Sequence, residues 1–294
     1  MTVTKAQAAD LIRLYGLEGL PALLARTPAQ LEHAVRALGP GVTRYVLRTS
    51  GHDEELNLPR IVDIGYGPAE AWFRAHESPA GILVQPYEEL EHSAELAFGE
   101  TGPIIMELVR GPWELDLEDR PLSLRFDEPE PGALRVVADL EPSPPTSTTG
   151  AAAREIGEWV GEHLAALRRL AHDLDATITM KLHVYRQSRV SPQNIRTLPA
   201  RPHSTSSGPV AAQGAIPPPL VLREIGTHIP PGTRAVVLAV SIPRDEAHQI
   251  SRLAARLHEQ GVTDVYISTG LLGHLAIMLR GAGLEVHSAR PPSD

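Results

Sequence analysis

Residues 269–280 read TGLLGHLAIMLR and lie between two runs with the character of β-strands. The run before them, Val265 to Ser268, is rich in β-formers, and the run after them begins at Leu284, directly behind Gly283. The apolar residues within the stretch recur at helical spacing. The sequence therefore predicts strand, turn, helix and strand, with His274 near the start of the helix. Free N–H groups and the positive dipole end of a helix stabilise an added anion, and neutral imidazole is a nucleophile. We therefore take His274 as a candidate carrier of a phosphoryl group.

The rest of the chain divides by composition into four parts. Residues 220–294 alternate strand and helix, which favours a small α/β domain with a mainly parallel sheet. Residues 197–219 are rich in Pro, Ser, Gly and Ala and are typical of a linker. Residues 43–196 contain several strand-like runs and a long amphipathic helix, an α+β arrangement. Residues 1–42 form a helical N-terminal segment. The predicted fold class is therefore α/β, with two folded parts joined by the linker.

Composition excludes several classes of function. The chain has 294 residues, no cysteine and a net charge of −9, so it has no disulfide and no thiolate metal site. No basic run suggests nucleic acid or an acidic membrane surface as a partner. No apolar run approaches the roughly 20 residues of a membrane helix, and the N-terminus lacks the apolar core of a signal peptide. We expect a cytoplasmic protein. Its oligomeric state and any protein partner are left open.

A second group of polar residues follows the long helix. Asp173 and Asp175 are separated by one residue, and Gln187 and Arg189 follow twelve and fourteen positions later. On an extended segment the two acids would point to opposite faces, unless a bend turned both inward. Acidic oxygen ligands suit Mg²⁺, which keeps water and phosphate ligands. Arginine suits a phosphate oxygen pair.

The stretch around His274 resembles the phosphohistidine motif of the PEP-utilising enzymes, which include PEP synthase, pyruvate phosphate dikinase and rifampicin phosphotransferase. That motif runs roughly G-G-x-T-S-H-x-A-I-x-A-R. Five residues match it: Gly270, His274, Ala276, Ile277 and Arg280. Gly273, Leu272 and Thr269 stand where the family has Ser, Thr and the first Gly. The resemblance implies a swivelling domain with His274 and Arg280 in its catalytic machinery.

The segment after the long helix resembles the end of the ATP-grasp domain of the same family. There a D-x-E pair precedes Q-x-R at the same spacing, and Asp175 stands for the family's Glu. The resemblance implies that Asp173 and Asp175 lie near Mg²⁺. It places Gln187 and Arg189 at the phosphates of ATP.

Two earlier segments resemble the family in the same order along the chain. Arg48 lies in VLRTS, which is similar to the family's V-R-S-S segment, whose Arg binds ATP phosphates. Glu107 follows GILVQ and lies in MELVRGPWE, similar to the family's V-Q-x-M strand and E-x-x-x-G-x-G-E turn, which implies contact with ribose or metal. The family's opening Gly-Lys-Gly segment has no counterpart, because Lys5 has no glycine beside it.

The leading hypothesis is an ATP- and Mg²⁺-dependent phosphotransferase of dikinase type, which passes a phosphoryl group through His274 to a small acceptor. One alternative is an ATP-grasp ligase that activates a carboxylate, with His274 structural. Another is a degenerate member of the family that binds nucleotide or acts as a regulatory subunit. A nucleotide-independent hydrolase or reductase finds no support, because neither G-x-S-x-G nor G-x-G-x-x-G occurs.

Overall fold

A computed structural model describes residues 3–17, 19–51, 59–76, 78, 80–112, 121–130, 133–139, 147–186, 189–198, 219–239, 248–267 and 274–288. The chain forms two compact units. Unit 1 comprises Met1–Trp113 and Leu122–Thr197, and unit 2 comprises Glu114–Pro121 and Leu198–Asp294. The predicted linker at 197–219 lies, apart from its ends, outside the described residues.

Unit 1 begins with a small layer of helices on an antiparallel sheet. Its helices are α2 (Pro28–Ala37) and α3 (Tyr66–Ala75), whereas the first helix of the chain, α1 (Lys5–Leu14), packs Ala8, Leu11 and Ile12 on the core of the larger sheet described next. Its strands are β1 (Leu23–Ala25), β2 (Tyr45–Thr49), β3 (Arg60–Ile64) and β4 (Ile82–Pro86), in the order β1-β4-β2-β3. Leu31 of α2 and Phe73 of α3 pack on Leu47 and Val84, so the helices cover one face of this four-stranded sheet.

A six-stranded sheet forms the larger part of unit 1. Its strands are β5 (Leu90–Phe98), β6 (Ile104–Arg110), β7 (Leu122–Glu130), β8 (Ala133–Asp139), β9 (Thr177–Tyr185) and β10 (Arg189–Leu198), in the order β10-β9-β5-β6-β7-β8. The helix α4 (Ser147–Asp173) packs its apolar stripe on one face, where Ile156 and Leu167 meet Leu96 and Met180. Because side chains alternate along a strand, the odd-numbered residues of β5 and β9 point to the other face.

Unit 2 is a small parallel sheet with helices between its strands. The strands are β11 (Leu220–Leu222), β12 (Ala235–Leu238), β13 (Asp264–Ile267) and β14 (Glu285–Ser288), in that order. The helices are α5 (His248–Glu259) and α6 (His274–Gly281). All three strand pairs are parallel.

The predicted α/β class is confirmed, and so is the parallel sheet of the C-terminal part. The two acids after the long helix lie at its end and in a turn, not on an extended segment. Asp173 is the last residue of α4, and Asp175 has a φ of 45° in the turn that ends the helix. None of the helices within the described ranges is long and apolar enough to span a membrane.

Candidate functional site

The face of the six-stranded sheet that points away from α4 carries a row of polar residues across four neighbouring strands. Lys181 on β9 pairs in register with Glu95 on β5, Glu95 pairs with Glu107 on β6, and Glu107 pairs with Ser123 on β7. We call these four residues the polar row. Both glutamates are only 2% exposed. Directly paired residues have Cβ atoms about 5 Å apart, so two carboxyl groups meet here away from water.

Charges near the polar row partly compensate its acids. Burial raises the pKa of the Glu95 carboxyl, while the positive charges of Arg196 and Lys181 act in the opposite direction. Two like charges directly opposite each other destabilise a sheet, and a buried charge is retained only when it is paired. The polar row therefore combines acidic oxygens with basic groups at one place in the core of unit 1.

A second line of polar groups lies one step along the same strands. His183 pairs in register with Ser93, and its Nδ1 lies 3.2 Å from the hydroxyl oxygen of Tyr185. Burial lowers the pKa of His183 well below its ordinary value, and the charges of Lys181, Arg48 and Arg60 lower it further. Burial also raises the pKa of Tyr185 to about 12. At neutral pH both side chains are therefore uncharged hydrogen-bonding groups.

The four-stranded sheet supplies the opposite side of this site. On β2 and β4 the residues that alternate with the helix-facing ones include Arg48 and Gln85, and Gln85 is buried. Arg48 pairs in register with Arg60 of β3. The positive charges of both arginines lower the pKa of His183, so Arg48 and Arg60 lie near the polar face of the six-stranded sheet. The helices α2, α3 and α4 cover the two outer faces.

The N-terminus of α1 adds a lysine at the edge of the same region. The hydroxyl of Thr4 accepts a hydrogen bond from the backbone N–H of Gln7, and the Gln7 side chain accepts one from the N–H of Thr4, so the helix start is fixed. Lys5 donates from Nζ to the carbonyl of Thr49 at 3.3 Å, next to Arg48. Only two of the 27 lysines and arginines are lysines, and both, Lys5 and Lys181, lie at this site.

The strand β10 contributes further polar groups. Ser191 is fully buried and accepts hydrogen bonds from the backbone N–H of Leu20 at 2.8 Å and from Nε2 of Gln193 at 3.0 Å. Within the described residues, Gln193 Oε1, Ser93 Oγ and Thr179 Oγ1 are buried and have no hydrogen-bond partner. Buried polar atoms without a partner mark places where water or a ligand completes the hydrogen bonding.

Two of the predicted site residues meet at this site. Glu107 belongs to the polar row, and Arg48 faces it from β2. Arg189 lies instead at the surface, where its guanidinium is 3.4 Å from the Glu88 carboxylate. Gln187 lies outside the described residues.

The two predicted metal ligands after α4 do not join the polar row. Asp173 is exposed and accepts a hydrogen bond from the hydroxyl of the half-buried Tyr15 at 2.6 Å. Asp175 is also exposed. Their surroundings are those of a solvated helix end.

In unit 2, His274 is the first residue of α6, and the turn before it lies outside the described residues. Leu275, Ala276 and Leu279 of α6 are buried in the core of unit 2. Arg280 lies in the last turn of α6 and is half-buried. The order strand, helix and strand around His274 is therefore as predicted, with α6 held by its apolar side.

The donor set of the polar row fits a divalent cation together with a polyphosphate. Protein-bound Mg²⁺ is usually held by one or two carboxylates and by the oxygens of substrate phosphates. Glu95 and Glu107 supply the carboxylates, and the cations nearest to them, Lys181 and Arg196, are groups that bind phosphate. Arg48 adds a positive charge from the facing sheet.

No family model matches this sequence, and no curated protein shows a significant sequence match. The chain is similar to several solved structures. The N5-carboxyaminoimidazole synthetase of Staphylococcus aureus is 9% identical, has a TM-score of 0.40, and the match covers 68% of this chain and 45% of that one. The corresponding synthase of Aspergillus clavatus, in complex with ADP and 5-aminoimidazole ribonucleotide, is 12% identical with a TM-score of 0.39 and coverage of 66% and 44%.

An L-amino acid ligase of Bacillus licheniformis is 11% identical, with a TM-score of 0.38 and coverage of 67% of this chain and 40% of that one. The chain spans less than half the length of each of these three proteins. Because every TM-score is below 0.5, the assignment of the site rests on the residues of this chain.

Proposed function

We propose that this chain is an ATP-dependent enzyme whose unit 1 is an ATP-grasp-type domain that binds Mg²⁺ and ATP between its two antiparallel sheets. The observation that carries the proposal is the buried polar row, in which Lys181, Glu95 and Glu107 are register partners on three neighbouring strands. Buried ionisable groups of both signs on a sheet face are costly for the fold, and such groups cluster at functional sites.

The residues of unit 1 divide into two roles in this proposal. Glu107, with Glu95 beside it, would hold Mg²⁺, which neutralises charge on the phosphates when it is bound. Arg48, Lys5 and Lys181 would bind the phosphate oxygens. Lys5 thus takes the part that the Gly-Lys-Gly lysine has in the PEP-utilising enzymes, although it has no flanking glycine. His183 and Tyr185, both uncharged, would donate or accept hydrogen bonds without adding charge.

The proposed reaction is the activation of a small carboxylic acid. A carboxylate oxygen attacks the terminal phosphorus of ATP, the bond from that phosphorus to the bridging oxygen breaks, and ADP leaves. The product is an acylphosphate, which a second nucleophile can then displace. We favour this alternative because the cations and carboxylates it needs are brought together within unit 1 alone.

A second candidate keeps His274 as the phosphoryl acceptor, as in the dikinase hypothesis. It is favoured by the position of His274 at the first residue of α6, the helix that lies between the parallel strands β13 and β14 of unit 2. An added phosphoryl group at a helix start is stabilised by the free N–H groups there. Arg280, one and a half turns further along α6, would then belong to the same machinery.

Nucleotide binding is the first test. We expect a non-hydrolysable ATP analogue with Mg²⁺ to bind the full chain in calorimetry. Loss of a charge-assisted hydrogen bond costs about 1.5–3 kcal/mol, so Arg48→Met should weaken binding roughly 10- to 100-fold. Glu107→Gln should remove the dependence on Mg²⁺. Arg36→Met is the matched control, because Arg36 is an exposed arginine of α2 paired only with Glu32 among its described contacts. Wild-type protein that binds no nucleotide, or Arg48→Met that binds as tightly as wild type, contradicts the proposal.

Product analysis then separates the two reactions. The carboxylate reaction forms ADP and an acylphosphate, which hydroxylamine traps as a hydroxamate with a panel of small carboxylic acids, and it survives His274→Ala. The dikinase reaction forms an acid-labile phosphoprotein from labelled ATP, and His274→Ala abolishes the label. Binding without either product would leave a nucleotide-binding regulatory protein, the degenerate alternative.

A further inference from the structure

Three potential metal ligands of unit 2 come together on two neighbouring strands. Asp264 on β13 is the register partner of Glu285 on β14, and Tyr266 is the partner of His287. Glu285 and His287 are two residues apart on one strand and therefore share a face. One ligand atom from each of Asp264, Glu285 and His287 lies within 4.8 Å of the other two.

The scaffold under these side chains is a packed core. Val265 and Val286, which alternate with them on β13 and β14, are buried in the core of unit 2. Because the valines fix which way each strand faces, Asp264, Glu285 and His287 are directed together to the other face. The site therefore depends on two regular strands and not on a loop.

Two of the three ligands are also fixed in orientation. Nε2 of His287 lies 2.9 Å from Oδ1 of Asp264, and its ring stacks on Tyr266 with the centroids 5.0 Å apart. The Thr263 hydroxyl donates to the other oxygen of Asp264 at 2.7 Å. Groups that hold a ligand in one rotamer raise metal affinity, since less freedom is lost on binding.

The electrostatics of the site favour a cation. Two carboxylates directly opposite each other on neighbouring strands repel, and the partner that Asp264 has across the strands within the described contacts is the imidazole of the half-exposed His287. The imidazole distinguishes the set from an ordinary pair of surface acids, because nitrogen is a preferred ligand of transition-metal ions. The chain has no cysteine that would compete for such an ion.

We propose that Asp264, Glu285 and His287 form a binding site for a divalent transition-metal ion of the Zn²⁺ class on unit 2. Two carboxylate oxygens and one imidazole nitrogen are the ligand types of three-ligand zinc sites, which leave one position to water or to an outside ligand. On binding, the ion replaces the hydrogen bond between His287 and Asp264 with bonds to both side chains. The site is independent of the polar row and of the function proposed for unit 1.

Calorimetry with Zn²⁺ on the tag-free full chain, after treatment with a chelator, tests this site. We expect one strong Zn²⁺ per chain, and His287→Ala should weaken it by at least about tenfold. Glu285→Gln keeps the size of an exposed side chain and should weaken it as well. His172→Ala is the matched control: His172 also pairs with a carboxylate, that of Glu100 at 3.1 Å, but belongs to no group of three ligands among the described residues.

Cobalt provides an independent readout. Co²⁺ bound to one imidazole and two carboxylates should give visible absorption bands that are absent from His287→Ala and present in His172→Ala. The proposal is overturned if wild type and His287→Ala bind Zn²⁺ equally, or if His172→Ala weakens binding as much as His287→Ala does.

Discussion

Two pairs of acids lie directly opposite each other on neighbouring strands in the part of the chain that the structure describes, and they differ in their access to water. Glu95 and Glu107 in unit 1 are each 2% exposed. Asp264 and Glu285 in unit 2 lie at the surface, where the Asp264 side chain is 38% exposed. The same repulsion therefore costs much more in unit 1, because water screens the second pair and not the first.

The difference explains which charges accompany each pair. The buried pair has Lys181 in register beside it and Arg196 close by, so its compensation is built into the fold. The surface pair has only a titratable imidazole, His287, among its described contacts. The cations beside the buried pair are part of the fold, whereas the surface pair and its imidazole are the three groups to which a metal ion could bind.

The largest effect is expected from removing the lysine of the polar row. Lys181→Met leaves the buried Glu95 without its register partner and without a positive charge that lowers its pKa, and an uncompensated buried charge costs about 3 kcal/mol or more. Urea unfolding at pH 7 should show this loss. Burial raises the pKa of the Glu95 carboxyl in the folded protein above its ordinary value of 4.5. The carboxyl therefore costs no stability below pH 4.5, and its charge destabilises the folded protein increasingly as pH rises through the folded-state pKa. The penalty of Lys181→Met should therefore shrink as pH is lowered toward 4.5.

The surface pair supplies the comparison for that experiment. His287→Ala removes the imidazole that contacts Asp264 across the strands, but both side chains are more than one third exposed. We expect its free energy of unfolding in metal-free buffer to fall by less than about 0.5 kcal/mol. If Lys181→Met and His287→Ala lowered the free energy of unfolding equally, burial would not be what makes the two acid pairs differ.

A smaller effect concerns the pH dependence of unit 1. Burial and three nearby cations lower the pKa of His183 well below 6.5, so the folded state keeps the ring neutral. The stability that the neutral ring contributes is complete above pH 6.5. It is lost as pH falls below 6.5, because the unfolded chain then binds a proton that the folded chain does not. Between pH 7.5 and 5.5 this costs about 1 kcal/mol.

His183→Gln isolates that contribution. The difference in unfolding free energy between wild type and His183→Gln should decrease by about 1 kcal/mol from pH 7.5 to 5.5. His163→Gln is the control, since His163 is only half-buried and its Nδ1 bonds the Trp159 carbonyl within α4. A pH-independent difference for His183→Gln would mean that the ring is protonated or solvated in the folded protein.

The sequence predicts much of the framework because the framework depends on local periodicity. The stripe of α4 that includes Ile156, Val160 and Leu164 recurs at helical spacing and forms the predicted buried face. The alternation of strands and helices in unit 2 likewise predicts a parallel sheet, which the structure has.

The sequence could not predict that the polar row is buried. Strand β9 reads TITMKLHVY, a strict alternation of polar and apolar residues that ordinarily indicates one face in the core and one in water. Here the second face is covered by another sheet whose strands lie far away in sequence. From the strand alone, Lys181 and His183 would be predicted to face water. Only the folded structure shows that Arg48, on a strand of the other sheet, lies near His183.

Lys5 was missed for a similar reason. It stands 44 positions before Thr49, the residue that its ammonium contacts, and nothing local to it suggests that contact. The one available signal was composition: lysine is rare in this chain, and Lys181 is the other example.

The smallest effect distinguishes the two proposed positions of the acidic ligands. Asp175 follows α4 with a φ of 45°, its N–H donates to the His172 carbonyl at 3.0 Å, and the N–H of Ala176 donates to the Ala171 carbonyl at 3.2 Å. These bonds form a Schellman motif, whose left-handed residue is usually glycine.

Asp175→Gly should therefore stabilise the chain, because glycine avoids a left-handed cost of about 1–2 kcal/mol while adding freedom to the unfolded state. The net gain should be about 0.5 kcal/mol, measured by thermal or urea unfolding. Gly261 ends α5 with the same pair of hydrogen bonds, so Gly261→Asp is the reverse control and should destabilise.

If the acidic ligands are those of the polar row, Asp175→Gly leaves binding of the ATP analogue unchanged. If Asp175 holds the metal, as the sequence pattern predicted, the variant gains stability and loses Mg²⁺-dependent binding, and the polar row is then a structural network only.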